Sequence, residues 1–309
     1  MTHFAYTGSG PYCYANSFAM MFGADGPSTA VIEVAIGGPF GMQLIGGTLP
    51  FFDPYGWDPE KGFEVALSAL GWTCDVTQGG EAEEALARLK AALAAGPVWI
   101  GPVEMGHLRH QPRMRGPIEA DHYVVALEVD DESILMHDPQ GYPYARLPLA
   151  DFMAAWSAKT LIYGTPYTMR TAFRRTADVA EVDMIRASIP SAIRWLSMAG
   201  EHDMPAGSSG NAAAAEALAR LIERGCSDDL RGHMIHFAVQ AGARRATDAA
   251  TCLERAGYVE AARIAGRQAR LIGALQYPLV AGKDGEAAAS LRELAPTYDM
   301  LRAALEGQG

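Results

Sequence analysis

The sequence predicts two structural classes in series, an α+β region followed by an all-α helical bundle. Three observations predict it. Residues 1 to about 170 hold most of the glycine, proline and aromatic residues, whereas the chain from about residue 180 is rich in Ala, Arg, Glu and Leu. Within the first half, apolar residues at helical spacing come first and β-branched runs come afterwards, which is the order of an α+β fold and not of alternating βαβ units. In the second half the apolar stripes recur at helical spacing throughout. Domains are therefore expected at 1–170 and 181–309, joined by the polar, partly basic stretch 167–183.

Taken in order, residues 14–22 read as an apolar helix with Cys13 at or near its start, since SGP just before it is a stop-and-start signal. The stretch 36–59, IGGPFGMQLIGGTLPFFDPYGWDP, has too many glycines for regular structure and reads as a long functional loop or a set of turns. Residues 59–70 and 81–95 carry apolar residues at helical spacing, the second ended by Gly96 and Pro97. Strands follow at 98–103, 123–129, 133–137, 144–147 and 160–163. Helices are expected at 183–198, where Pro190 can kink or split the element, and at 211–224, 228–240, 246–256, 259–275 and 286–305.

The bulk numbers exclude several function classes. With 309 residues, 49% hydrophobic and 20% charged, the composition is that of an ordinary globular chain. No apolar run reaches the roughly 18 residues needed to span a bilayer. The N-terminal MTHFAYTGSGPY lacks a basic segment followed by an apolar one, so no secretory signal is read and a cytoplasmic location is expected. A net charge of −11 repels nucleic acid. The four cysteines, Cys13, Cys74, Cys226 and Cys252, are too sparse for a disulfide scaffold and form no C-x-x-C pair.

Cysteine chemistry needs a thiolate, a base beside it and a group that orients the base. Cys13 stands where a helix N-terminus favours negative charge. His122 opens the YVVALEV strand and Asp138 ends the next one, in HDPQG. In an antiparallel hairpin the start of one strand lies beside the end of the next, so His122 and Asp138 are expected neighbours. Tyr12 and Tyr14 flank Cys13 and are candidate pocket residues, as is the aromatic run containing Phe52, Tyr55 and Trp57. Asn16, with Thr7 and Ser9, is a candidate hydrogen-bond donor to an oxyanion. The loop HLRHQPRMR (107–115) reads as a polar surface loop; its histidines are weighed as metal ligands and set aside, and no metal is expected. Its Arg109, Arg113 and Arg115 could dock an acidic partner or a phosphate. Arg244 and Arg245 read as solvated charge.

The segments GPYCYANSFAMMFG, ADHYVVALEVDD and ILMHDPQG resemble the papain-like fold of bacteriocin-processing cysteine peptidases. With IGGPFG and GPVEMGHLRHQP added, the order resembles the N-terminal domain of the butirosin-biosynthesis acyltransferase family over about residues 10–165. The resemblance implies Cys13 as nucleophile, His122 as general base and acid, and Asp138 as orienter. It implies an acyl group carried as a thioester on Cys13 and passed to a small-molecule amine or hydroxyl acceptor. It also implies natural-product biosynthesis, no cofactor beyond a phosphopantetheine-linked acyl donor, and an acyl carrier protein as partner. Papain-like peptidases place a Gln several residues before the Cys; here that stretch is AYTGSGPY. A hydrolase (thioesterase, amidase or peptidase) differs only in its acceptor, and a binding protein that kept the fold without the chemistry is the third reading.

Overall fold

The computed structural model describes residues 10–200 and 202–307. The chain begins with α1 (Cys13–Phe22) and α2 (Thr29–Ile36), a hairpin of β1 (Gln43–Ile45) and β2 (Leu49–Phe51), and α3 (Pro59–Leu70). Next come β3 (Trp72–Thr77), α4 (Ala82–Leu93), β4 (Val98–Glu104), β5 (Asp121–Val129), β6 (Ser133–Asp138), β7 (Tyr142–Pro148), α5 (Leu149–Trp156) and β8 (Met169–Arg175). The remainder is helical apart from one short strand: α6 (Glu181–Leu196), β9 (Ser209–Gly210), α7 (Asn211–Glu223), α8 (Asp228–His233), a π-helical turn (Met234–Ala238), α9 (Val239–Arg255), α10 (Val259–Gly273), α11 (Gln276–Val280), α12 (Asp284–Leu294) and α13 (Thr297–Glu306). An α/β region with antiparallel sheets thus precedes a helical region. No helix among the described residues is long and apolar enough to cross a membrane.

The chain divides into two compact units, and the division is not sequential. Among the described residues, the first joins 10–29 to 72–177 and the second joins 30–71 to 178–307. The boundary expected from composition, 1–170 against 181–309, is therefore crossed by residues 30–71, which pack with the helices.

The first unit is built on a six-stranded sheet in the order β3-β8-β4-β5-β6-β7, antiparallel at every pairing. One face carries Val98, Ile100, Val124, Ala126, Ile134 and Met136, which form a core with Ala85 and Leu89 of α4 and with Phe152, Ala155 and Trp156 of α5. The other face meets α1. Tyr14 stands edge-on to Tyr123, with ring centroids 6.0 Å apart, Phe18 packs on Trp99 at 4.2 Å, and Phe22 packs on Trp72 at 4.6 Å. These three aromatics recur every four residues, one face of a helix. Their partners lie on β5, β4 and β3, so the helix crosses the strands. Ten helical residues span about 15 Å, and three strand spacings span about 14 Å.

Two stretches differ from expectation. Residues 160–163 are not a strand; they form turns and bends after α5. The strand is β8, inside the supposed connector. Arg170 is buried over the Trp99 ring at 4.8 Å; Arg174 and Arg175 are solvated charge as expected, but on a strand and not in a linker, with Arg174 paired to Asp75 at 3.0 Å.

In the second unit β1 pairs with both β2 and β9. The glycine-rich stretch therefore holds two short strands, and their turn uses Gly46 and Gly47 at φ 56° and 73°, which side chains with a Cβ adopt rarely. Arg245 of α9, expected on the surface, is buried. It donates to Glu33 (2.6 Å) and Asp53 (3.1 Å), and Gln43 donates to Asp53 at 2.7 Å. These bonds tie α2, β1 and the segment after β2 to one helix, and they replace the water a buried charge gives up. Pro190 sits within α6 without breaking it. Pro296 separates α12 from α13, where one helix was expected.

Candidate functional site

The structure brings Cys13, His122 and Asp138 together in the first unit. The pairing Val125↔His137 puts Asp138 across from Val124, two residues from His122 on the same face of β5. The His122 Nε2 lies 2.7 Å from Asp138 Oδ1. The Cys13 thiol is hydrogen-bonded to the His122 ring and accepts from the backbone N–H of Tyr123. With Nε2 committed to Asp138, Nδ1 is the nitrogen left for the thiol. Cys13 is half-buried at the first position of α1, while His122 and Asp138 are buried.

Electrostatics in this chain is set by burial and by the partners together. Burial pushes the Cys13 thiol up; the His122 hydrogen bond and charge pull it back, and the net direction is up. Burial works against charge on His122, but the Asp138 carboxylate outweighs it and raises the imidazole well above its ordinary value. Burial also opposes ionisation of Asp138. There the charge of His122, the bonds from His110 and His122, and the Gln140 N–H win, and the carboxyl lies well below the usual carboxylate range.

Two residues of this site went unrecognised in the sequence. His110 Nε2 lies 2.7 Å from Asp138 Oδ2, and Gln111 Nε2 donates to the same oxygen at 2.6 Å. They reach it because Glu104, at the end of β4, gathers the loop that follows. Its carboxylate accepts from the N–H groups of Gly106 (3.1 Å), Ile118 (3.0 Å) and Glu119 (3.1 Å) and from the Thr160 hydroxyl. Burial raises the Glu104 carboxyl, and these four donors lower it further than burial raises it. At Gly106 a Cβ would meet the Gly116 carbonyl oxygen at 1.9 Å, so only glycine closes the loop there.

The other expected site residues fall as follows. Tyr12 is buried, and Tyr14 packs against Tyr123. Asn16 is buried one turn beyond Cys13, and its Nδ2 has no hydrogen-bond partner among the described residues. Thr7 and Ser9 lie outside the described residues. Phe52, Tyr55 and Trp57 belong to the second unit. Phe52 lies where a Cβ on Gly242 would touch it at 2.5 Å, and Trp57 donates to the Ile36 carbonyl at 3.2 Å beneath the Arg245 guanidinium. Tyr55 stands edge-on to His202 at 5.5 Å. These three aromatics anchor their loop.

Comparison with known proteins finds one matching family model, outside this geometry, and one relative. Residues 205–306 match the family model described as YobF C-terminal domain. The matched segment lies in the second unit, and Cys13, His122 and Asp138 lie outside it. The uncharacterized protein YobF of Bacillus subtilis (strain 168) is 32% identical over 161 residues, which cover 51% of this chain and 52% of that protein. The chain thus spans about half the length of the curated relative it matches.

Proposed function

We propose that the first unit is a cysteine-nucleophile acyl-transfer catalyst of papain-like arrangement. The observation that carries this reading is the hydrogen-bonded chain from Cys13 through His122 to Asp138. In the reaction His122 takes the thiol proton as Cys13 Sγ bonds to the carbonyl carbon of an acyl donor. The tetrahedral intermediate collapses by breaking the bond to the leaving group, which receives the proton from His122. A thioester on Cys13 remains. An amine or hydroxyl acceptor then attacks it, gives its proton to His122, and releases Cys13. Asp138 holds the imidazole in one orientation and stabilises its charged form.

The developing oxyanion needs donors. This reading assigns it the Cys13 backbone N–H and the Asn16 Nδ2, which has no partner among the described residues, because side chains in a helix lean back over the preceding turn. A carrier-bound acyl donor would meet Arg113 and Arg115, which are exposed on the loop that also holds His110.

Intact-protein mass spectrometry with short-chain acyl thioesters tests the proposal. The expected result is one acyl mass on the Cys13 peptide, absent in Cys13→Ala and discharged faster by an added amine than by water. Discharge to water alone would make the protein a hydrolase. No adduct with any thioester, together with Cys13 alkylation indifferent to His122→Ala, would leave a binding protein of the same fold.

A further inference from the structure

A carboxylate that orients a catalytic histidine has one task for one oxygen; Asp138 is held by both. Oδ1 takes His122 Nε2 and the Gln140 N–H (2.8 Å), and Oδ2 takes His110 Nε2 and Gln111 Nε2. An ionised carboxylate offers about four lone-pair sites, and these four donors match them. The carboxylate therefore cannot rotate without breaking bonds on both sides.

We propose that His110 and Gln111 are positioning residues of the Cys13–His122 site, acting through Asp138: they fix Oδ2 so that Oδ1 stays on His122. The inference rests on the reading of Cys13 and His122 as a catalytic pair. His110 is suited to the task. Its side chain is 8% exposed, and its Nδ1 is buried with no partner among the described residues. Because Asp138 only accepts, Nε2 must carry the hydrogen, so the bond to Asp138 is what His110 contributes. The ring is held edge-on against Tyr142 of β7 at 5.5 Å, and Tyr142 in turn lies across from Asp138 in the β6–β7 register. Neighbouring Arg109 is drawn away to Asp151 of α5 (3.4 Å). The titratable groups facing the cluster are thus Cys13 on α1, Asp121 and His122 on β5, and Tyr142 on β7.

The experiment is alkylation of Cys13 by iodoacetamide from acid to alkaline pH, read by peptide mass spectrometry. It compares wild type with His122→Ala, His110→Ala, His110→Gln and Gln111→Leu, all checked for folding by circular dichroism. The expected result is that His110→Ala displaces the profile toward that of His122→Ala and slows acyl loading about ten- to a hundredfold, the range for a lost charge-assisted hydrogen bond. His110→Gln, which keeps an N–H donor, recovers most of both. A role in stability alone would lower the melting temperature and leave the profile in place. A folded His110→Ala protein with the wild-type profile overturns the inference while His122→Ala remains displaced. If His122→Ala also matches wild type, the catalytic pair fails and the inference falls with it. Should His110→Ala not fold, Gln111→Leu removes a donor from the same oxygen, and a wild-type profile there is equally decisive.

Discussion

A carboxylate shut off from solvent stays ionised only where donors take the place of water, and Asp138 has them on both oxygens. Its charge then raises the proton affinity of His122, while burial raises that of the Cys13 thiol in the same pair. Reaction requires one proton to leave that pair. Hence kcat/KM should rise with pH through an ionisation above the ordinary histidine value of about 6.5. Asp138→Asn should move that limb to lower pH and reduce kcat by roughly a hundredfold or more; a limb that stays in place would sink the assignment of Asp138.

The same shifts carry opposite signs in stability. The lowered carboxyl of Asp138 stabilises the fold above the unfolded carboxylate value of about 3.9, and this is lost as pH falls toward the folded value. The raised His122 stabilises it below about 6.5, and this is lost as pH rises through the higher folded value. Urea midpoints measured across pH should fall on both sides; His122→Ala should flatten the alkaline side and, because His122 helps to lower Asp138, weaken the acid side as well.

At the scale of elements, α1 delivers Cys13 to the start of β5 by laying Phe18 and Phe22 across the sheet. Phe18→Ala should cost about 3–5 kcal/mol of stability, as for a buried aromatic, and should uncouple Cys13 alkylation from His122. The loop after β4 has a separate expected role. Charge reversal at Arg113 and Arg115 should raise KM for a carrier-bound acyl donor and leave a free thioester unaffected; equal effects on both would discard docking. What was legible in the sequence follows the same division. His122 and Asp138 could be paired because a hairpin register is a local rule. His110 and Gln111 could not, since their meeting with Asp138 depends on Glu104 gathering amides more than ten residues away. The usable signal was a Glu closing an apolar strand. β8 was missed because its arginines drew attention from the alternation of Met169, Thr171 and Phe173, which is the period of a strand.

At the scale of the molecule, the two units share the chain in alternation. Composition pointed to one boundary near residue 170 and could not reveal that residues 30–71 belong with the helices, because the partners of Arg245 lie 192 and 212 residues away in sequence. Val31, Ile32, Phe40, Met42 and Leu44 are buried in the second unit. A fragment ending at residue 177 should therefore bind a hydrophobic dye and elute as aggregate, whereas a monomeric, dye-silent fragment would contradict the division.

That alternation also sets an order of events during synthesis. A ribosome adding about 5–20 residues per second releases Glu33 and Asp53 roughly 10–40 seconds before Arg245 of α9 exists to receive them. The nascent chain must hold the apolar segment 30–71, with Glu33 and Asp53 awaiting Arg245, idle while the sheet around Cys13 closes behind it. Dependence on a holdase chaperone should accordingly track residues 30–71, and a circularly permuted gene that makes the helices first should relieve it.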